Sequence, residues 1–229
     1  MLSLSLDSIS VSYPGLGAPV LDIKALAIPG GSHVAITGAS GSGKSTLVNL
    51  ITGLERVQNG RIDWNGTDLA ALSEGRRDRW RAQNVGLVMQ DFHLFPGLSA
   101  IDNVLLPARL ARAAGTDHAA RAAELIRRVG LSRPEQPVET MSRGEMQRVA
   151  VARALLRQPG VIVADEPTAS LDPESGDAVA ELLLDLASTE GRTLIVVSHD
   201  PRLVERLNRR IVLANGRVVS DTASAEVSA

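Results

Sequence analysis

Apolar side chains at Leu4, Leu6, Ile9 and Val11 alternate imperfectly with polar neighbours, which predicts a half-buried strand with a one-residue slip. Val20 to Ile28 reads as a second strand, and Gly60 to Trp64 followed by Asn65-Gly66 as a strand and turn. His33 to Thr37 is a buried strand. After it Leu47, Leu50, Ile51 and Leu54 recur with helical spacing, on a helix that Gly53 helps to end. The first part of the chain is therefore rich in β structure.

The pattern then turns helical. Val85 to Met89 is an apolar strand ending at Gln90, and Phe92, Leu94, Phe95 and Leu98 crowd around Pro96-Gly97 in a loop. Apolar residues on such a loop either fold into the core or form a docking patch, and the residues themselves leave both open. Ser99 with Asp102 forms a capping box for a helix carrying Ile101, Val104, Leu105 and Ala108, kinked at Pro107. Ala122, Leu125, Ile126 and Val129 mark another helix, stopped by Gly130. Ser142 and Glu145 cap a third, with Met146, Val149, Ala150 and Ala154 on one side. Val161 to Ala164 is a continuous apolar run, as in a strand covered on both faces. Asp172-Pro173 opens a helix with Val179, Leu182, Leu183 and Leu186 inward, and Thr193 to Ser198 is a last buried strand. The arginine-rich stretch 73–81, SEGRRDRWR, is expected on a polar helix or loop as a solvated face.

The loop between His33–Thr37 and its helix carries chemistry. Residues 38–45, GASGSGKS, fit the P-loop pattern: Gly38, Gly41 and Gly43 let backbone N–H groups point inward at a phosphate chain, with Ala39, Ser40 and Ser42 between them. Lys44 adds a compact cation, and Ser45 offers a hydroxyl to Mg²⁺. The helix N-terminus, from Lys44 through Thr46, points at the phosphates and adds a favourable dipole. Asp165-Glu166 ends the apolar run 161–164, where one carboxylate can hold the Mg²⁺ and the next can orient or deprotonate water. His199 follows 34 residues after Asp165, a separation that suits one βαβ unit, so both are expected at strand carboxyl ends beside the same γ-phosphate. Tyr13, upstream of the loop, offers either a stacking face for an adenine or an aromatic packed at a strand end.

Composition narrows the partners. The 229 residues are enough for one core with an attached subdomain, and 44% hydrophobic with 22% charged residues is an ordinary globular balance. A formal charge of −2 supplies no drive towards nucleic acid. The absence of cysteine excludes disulfides, thiolate metal sites and cysteine nucleophiles. No apolar run is long enough to span a bilayer and the Met1-Leu2-Ser3 start lacks a signal peptide's basic region, so a membrane, if involved, is crossed by another chain. A short Ala/Ser-containing tail follows Ser220.

These motifs, in this order, resemble the nucleotide-binding subunits of ATP-binding cassette (ABC) transporters along nearly the whole chain. GASGSGKS is similar to the Walker A motif, Gln90 to the Q-loop, MSRGE to the signature, VIVADE to the Walker B strand with its catalytic glutamate, ASLD to the D-loop and His199 to the switch histidine. The GLERVQNGRI, VGLVMQDFHLFPGLSAIDNVLLP and ADEPTASLD stretches most resemble the lipoprotein-release and macrolide-export branch. The resemblance implies an α/β P-loop NTPase core with an N-terminal antiparallel β subdomain and an inserted α-helical subdomain. Residues 1–90 and 157–229 would form the core and 91–156 the helical part of a single domain. It implies ATP and Mg²⁺, with Glu166, His199 and Gln90 at the chemistry and Gln90 joining Ser45 and Asp165 at the metal. It implies a homodimer in which Ser142, Gly144 and Glu145, with Asp172, meet the nucleotide of a second copy. A separate integral membrane permease would dock near 92–98, placing the chain peripherally on the cytoplasmic face of the inner membrane. One departure stands out: where the family signature reads LSGGQ or LSGGE, this chain has Met141 and Arg143, and Arg143 either adds charge to the nucleotide contact or points outward. The competing classes are a soluble ABC ATPase of DNA repair or translation, a P-loop kinase of a small metabolite, and an ATP-gated regulator of a membrane complex such as a cell-division type. A kinase needs neither signature nor D-loop.

Overall fold

The structure is a computed structural model and describes residues 1–111 and 116–223. Its strands and helices are, in chain order, β1 (Leu4–Val11), β2 (Leu21–Ile28), β3 (His33–Thr37), α1 (Lys44–Ile51), β4 (Asn59–Trp64), β5 (Thr67–Asp68), α2 (Glu74–Asn84), β6 (Val85–Met89), α3 (Ala100–Leu110) and α4 (Thr116–Arg128). They continue with α5 (Arg143–Leu155), β7 (Val161–Asp165), α6 (Pro173–Thr189), β8 (Thr193–Val197), α7 (Pro201–Val204), β9 (Arg209–Ala214) and β10 (Arg217–Asp221). A four-stranded antiparallel sheet has the order β2-β1-β4-β5, and a six-stranded sheet the order β10-β9-β3-β8-β7-β6, parallel except for its edge strand β10. The α/β class with an N-terminal antiparallel sheet is thus as the sequence implies.

The larger sheet partitions two cores. On β7, Val161 and Val163 face the β-rich core while Ile162 and Ala164 face the helices, and on β8 Ile195 and Val197 oppose Leu194 and Val196 in the same way. Continuous apolar runs are what a strand covered on both faces requires. The β-rich core holds α1 between the two sheets through Leu47, Val48, Leu50 and Ile51; the other core joins α3, α4, α5 and α6. The β1 slip has a local cause. Leu4 and Leu6 face inward, then Ser8 takes φ 53° and the register with β4 shifts, so Ile9 and Val11 return to the same face. Opposite the bulge, Gly60 has φ 94° and a Cβ there would run into the Ser8 carbonyl, so this crossing requires glycine.

Several expectations change. Helix α1 stops at Ile51, and Leu54 lies beyond Gly53 (φ 69°) with 43% exposure instead of completing the buried stripe. The arginine-rich stretch is helix α2, but it is not simply a solvated face: Arg77 is buried, its Nε donates to the Gly53 carbonyl at 3.0 Å, and Arg81 Nη1 donates to the same oxygen at 2.7 Å. Those two cations sit where α1 leaves carbonyls unpaired, and Trp64 Nε1 satisfies another, that of Ile51, at 2.8 Å. Helix α5 buries more than one side, adding Gln147, Val151, Ala152 and Leu155, because it packs against α3, α6 and β6 together. Strand β10 runs through Ser220 to Asp221; the rest of the expected tail, from 224, lies outside the described residues.

Candidate active site

The carboxyl ends of β3, β7 and β8 open onto one cleft of 560 Å³, lined by Gly38, Ser40, Gly41, Gly43, Lys44, Ser45 and Thr46 from the loop and first turn of α1, and by Gln90, Asp165, Glu166 and His199. Strand order explains the convergence. β3 pairs with β8, and β8 with β7, so residues far apart in sequence leave adjacent strands at the same edge. β6 pairs with β7 in register Met89–Asp165, which delivers Gln90 to the same rim. Sequence reading missed two lining residues, Val20 and Ala169. Ala169 lies only three residues beyond Glu166, and its N–H donates to the Glu166 carbonyl at 3.2 Å, so the turn after the acidic pair was the available signal.

The loop is held open by close backbone contacts. Gly43 caps α1 with φ 100°, and a Cβ there would meet the Leu21 side chain at 2.7 Å and the Val20 carbonyl at 2.8 Å. Lys44 Nζ donates to the Gly38 and Ala39 carbonyls at 2.8 and 2.9 Å, so its charge lies across the mouth of the loop. The first α-helical bond runs from Leu47 N–H to the Gly43 carbonyl, leaving the N–H groups of Lys44, Ser45 and Thr46 directed out of the helix end. Ser42 Oγ is buried without a hydrogen-bond partner among the described residues. These features make a cradle for an anion chain.

Opposite the lysine stand the acids. Burial, then the neighbouring Glu166 charge, raises the Asp165 carboxyl above its ordinary value, against the opposing pull of Lys44 and a hydrogen bond with Ser45. A cation beside Asp165 would relieve that penalty. The oxygen donors Ser45 and Asp165 with the Gln90 amide suit Mg²⁺, which takes few protein ligands and completes its shell with water and phosphate. Glu166 Oε2 lies 2.9 Å from His199 Nδ1.

Other expected residues do not line the cleft, although Tyr13 lies beside Thr46, which does. Tyr13 packs half-buried against the β-rich core and its hydroxyl donates to Glu55 Oε1 at 2.6 Å, a bond that raises the phenol's pKa. Ser142, Gly144, Glu145 and Asp172 line none of it. Ser142 caps α5: its Oγ accepts from Glu145 N–H at 3.2 Å, while its own N–H donates to Glu145 Oε2 at 2.9 Å and holds that carboxyl low. Asp172 caps α6 by accepting from Ser175 N–H at 3.0 Å. Arg143 neither reaches into the cleft nor points freely outward. Its Nε donates to the Ser170 carbonyl at 2.9 Å and its guanidinium lies over Phe92, 5.0 Å from the ring centroid. Of the loop 92–98, Phe92 is buried and Leu94 packs on the helical core, whereas Phe95 is 52% exposed, so only part of the loop folds into the core.

A phosphate cradle at the switch edge of a mainly parallel sheet, faced by an acidic pair and a histidine, defines a P-loop nucleotide-hydrolysing enzyme. The family profile described as ABC transporter matches residues 21–169, and the chain belongs to that family. Within it, this is the ATP-binding, ATP-hydrolysing subunit. It is similar to lipoprotein-releasing system ATP-binding protein LolD 1 of Rhodopirellula baltica, 41% identical over 219 residues, 94% of this chain and 96% of that one. LolD of Idiomarina loihiensis is 40% identical over 220 residues, 93% and 95% of the two chains. Among solved structures, the ATP-binding cassette MJ0796 in a dimeric post-hydrolysis state bound to ADP and Pi superposes with a TM-score of 0.86 at 32% identity, covering 95% of this chain and 97% of that one.

Proposed function

We propose that this chain is the ATPase of a lipoprotein-release type transporter, and that it works as a homodimer with ATP sandwiched between residues 38–46 of one copy and 142–145 of the other. The observation that carries the reading is the division of the site: the cleft gathers Lys44, Asp165, Glu166 and His199, while Ser142 heads α5 outside it. A helix N-terminus with a serine cap is suited to an anion presented by a second molecule. The LolD relatives and the dimeric MJ0796 support both halves of the reading. The division into residues 1–90 with 157–229 and a signature-bearing helical part, 91–156, belongs to it, with Tyr13 offering its ring to the base.

Hydrolysis follows from the groups in the cleft. Glu166 accepts the proton of a water that attacks the γ-phosphorus, the bond to the β–γ bridging oxygen breaks, and ADP departs with that oxygen's electron pair. His199, hydrogen-bonded to Glu166, orients the carboxylate and faces the γ-phosphate. Lys44 and the α1 N–H groups hold the phosphates, and Asp172 lies at the contact with the second copy. Mg²⁺ held by Ser45, Asp165 and Gln90 would neutralise phosphate charge. ATP then favours the closed pair because it contacts both copies, and hydrolysis removes that differential affinity.

The membrane partner docks beside 92–98. Phe95 is exposed there, and a neighbouring groove of 450 Å³ is floored by Leu54, Leu87, Pro107 and Leu110. Arg153 borders the groove and donates to the Phe92 and His93 carbonyls, tying it to that loop. No described helix is long and apolar enough to cross a membrane. Docked to a membrane partner as its lipoprotein-releasing relatives suggest, the chain would lie peripherally on the cytoplasmic face. The test is to reconstitute the chain with a lipoprotein-release type membrane partner in vesicles. Expected are ATP-dependent pairing of the chain and turnover stimulated by the partner; a chain that stays monomeric at saturating ATP with the partner present sinks the reading.

A further inference from the structure

Arg143 is the first residue of α5, a place where the helix dipole favours an anion. Its side chain turns back from the helix end and joins two other segments. Ser170, whose carbonyl it takes, lies in the turn between Glu166 and α6; Phe92, whose ring it covers, follows Gln90 by two residues. The Phe92 segment needs restraint, because Phe92 and His93 have φ 56° and 46°, left-handed values that side chains with a Cβ adopt at a cost. Arg153 of the same helix supplies part of it, with Nη2 donating to the Phe92 carbonyl at 2.6 Å and Nη1 to that of His93. Helix α5 therefore grips the segment after Gln90 with two arginines, one near each of its ends. Of these two arginines Arg143 also reaches the segment after Glu166, which Gln147 of the same helix holds further back, its Nε2 donating to the Pro167 carbonyl at 2.8 Å.

We propose that Arg143 is a positioning residue, tying the Ser142 end of α5 to Ser170 and Phe92 so that the three segments present one rigid face when two copies close on ATP. The proposal rests on the dimer reading above. Arginine suits the task because its guanidinium can lie over an aromatic ring while its Nε–H donates within the guanidinium's own plane; a lysine ammonium keeps the charge but cannot do both. Arg143, Phe92 and Ser170 do not line the cleft, so ATP binding to a single copy is expected to be independent of the tie.

The experiment measures ATP-dependent dimerisation in a Glu166→Gln background, with kcat and KM measured in chains that retain Glu166. Arg143→Ala is expected to raise the protein concentration needed for dimerisation by about tenfold and to lower kcat, leaving monomer ATP affinity and the unfolding midpoint in place. Arg143→Lys should recover less than half of the loss. Phe92→Leu should reproduce the defect, and the double variant should add little to either single one, as members of one contact do. Dimerisation of Arg143→Ala equal to its parent, additive losses, or full recovery by lysine with no effect of Phe92→Leu each overturn the tie. Failure of the Glu166→Gln parent to dimerise would remove the functional reading and this proposal together, whereas a dimerising parent isolates the fate of Arg143.

Discussion

His199 Nδ1 stands 2.9 Å from Glu166 Oε2, and the His199 backbone N–H is directed at the same carboxylate oxygen. Glu166 is held for this contact by its own backbone. With φ 48° it leaves the extended conformation of β7, and its N–H donates to the Val197 carbonyl at the end of β8 at 2.8 Å. A left-handed glutamate is a local strain, sustained here by the pairing of two buried strands. The turn aims one carboxylate into the cleft and leaves Asp165, one residue earlier, to face Lys44 and Ser45.

Replacing Glu166 by Gln keeps the size of the side chain and a hydrogen-bonding oxygen for His199, but removes the carboxylate proposed as proton acceptor. Phosphate release should fall by roughly 10²- to 10⁴-fold while ATP binding persists. Rapid-quench turnover beside equilibrium nucleotide binding measures both; wild-type turnover would remove Glu166 from the role of base.

Lys44→Ala takes the cation from the mouth of the phosphate loop. Loss of a charged hydrogen bond should weaken ATP binding by about 10- to 100-fold, with adenosine binding changed far less. A nucleotide titration decides, and unchanged ATP affinity would count against the cradle.

Asp165 gives a pH dependence with a definite sign. Because burial and the Glu166 charge raise its folded-state pKa, the folded protein binds that proton more tightly than the unfolded chain. Its ionisation therefore lowers stability as pH rises from the ordinary aspartate value through the raised one, and the cost is complete above the raised value. Asp165→Asn should raise the unfolding midpoint of the ligand-free protein at pH 7 and lose this advantage towards pH 4, while failing to gain the stabilisation that Mg²⁺ with ATP confers on the parent. Thermal melts across that range read both effects, and a variant less stable than the parent at pH 7 would contradict them.

Arg77→Ala should lower stability by about 1–3 kcal/mol, because the Gly53 carbonyl loses a buried charged donor and keeps only Arg81. Its turnover per folded molecule should be unchanged, since Arg77 is remote from the cleft lining. Urea denaturation and ATPase assays on the same sample separate the two.

Much of this molecule was legible because its motifs are local. The phosphate loop needs glycines at fixed offsets between a strand and a helix, and those offsets survive without any tertiary information. The capping boxes at Ser99 and Ser142 and the proline after Asp172 are likewise set within four residues, and the structure has each as a cap. Even the β1 slip was visible, since a bulge shifts the parity of the apolar positions from Leu4 and Leu6 to Ile9 and Val11. The arginines behaved otherwise. Nothing adjacent in sequence distinguishes Arg77, buried on the Gly53 carbonyl, from the exposed Arg76, and the partners of Arg143 lie 27 and 51 residues away.

Residue order and spacing were sufficient for the phosphate cradle, the acidic pair, the alternation of strand and helix and the membership of the family, because backbone geometry at short range dictates them. Strand adjacency in the six-stranded sheet was decided only in three dimensions, and with it the direct contact of Glu166 with His199 inside a cleft that the sequence had already led both to share, the fate of Phe92 and Phe95, and the turn of Arg143 towards Ser170. Those depend on contacts between segments distant in the chain, where a long side chain takes whichever carbonyl or ring the packed core brings within its reach.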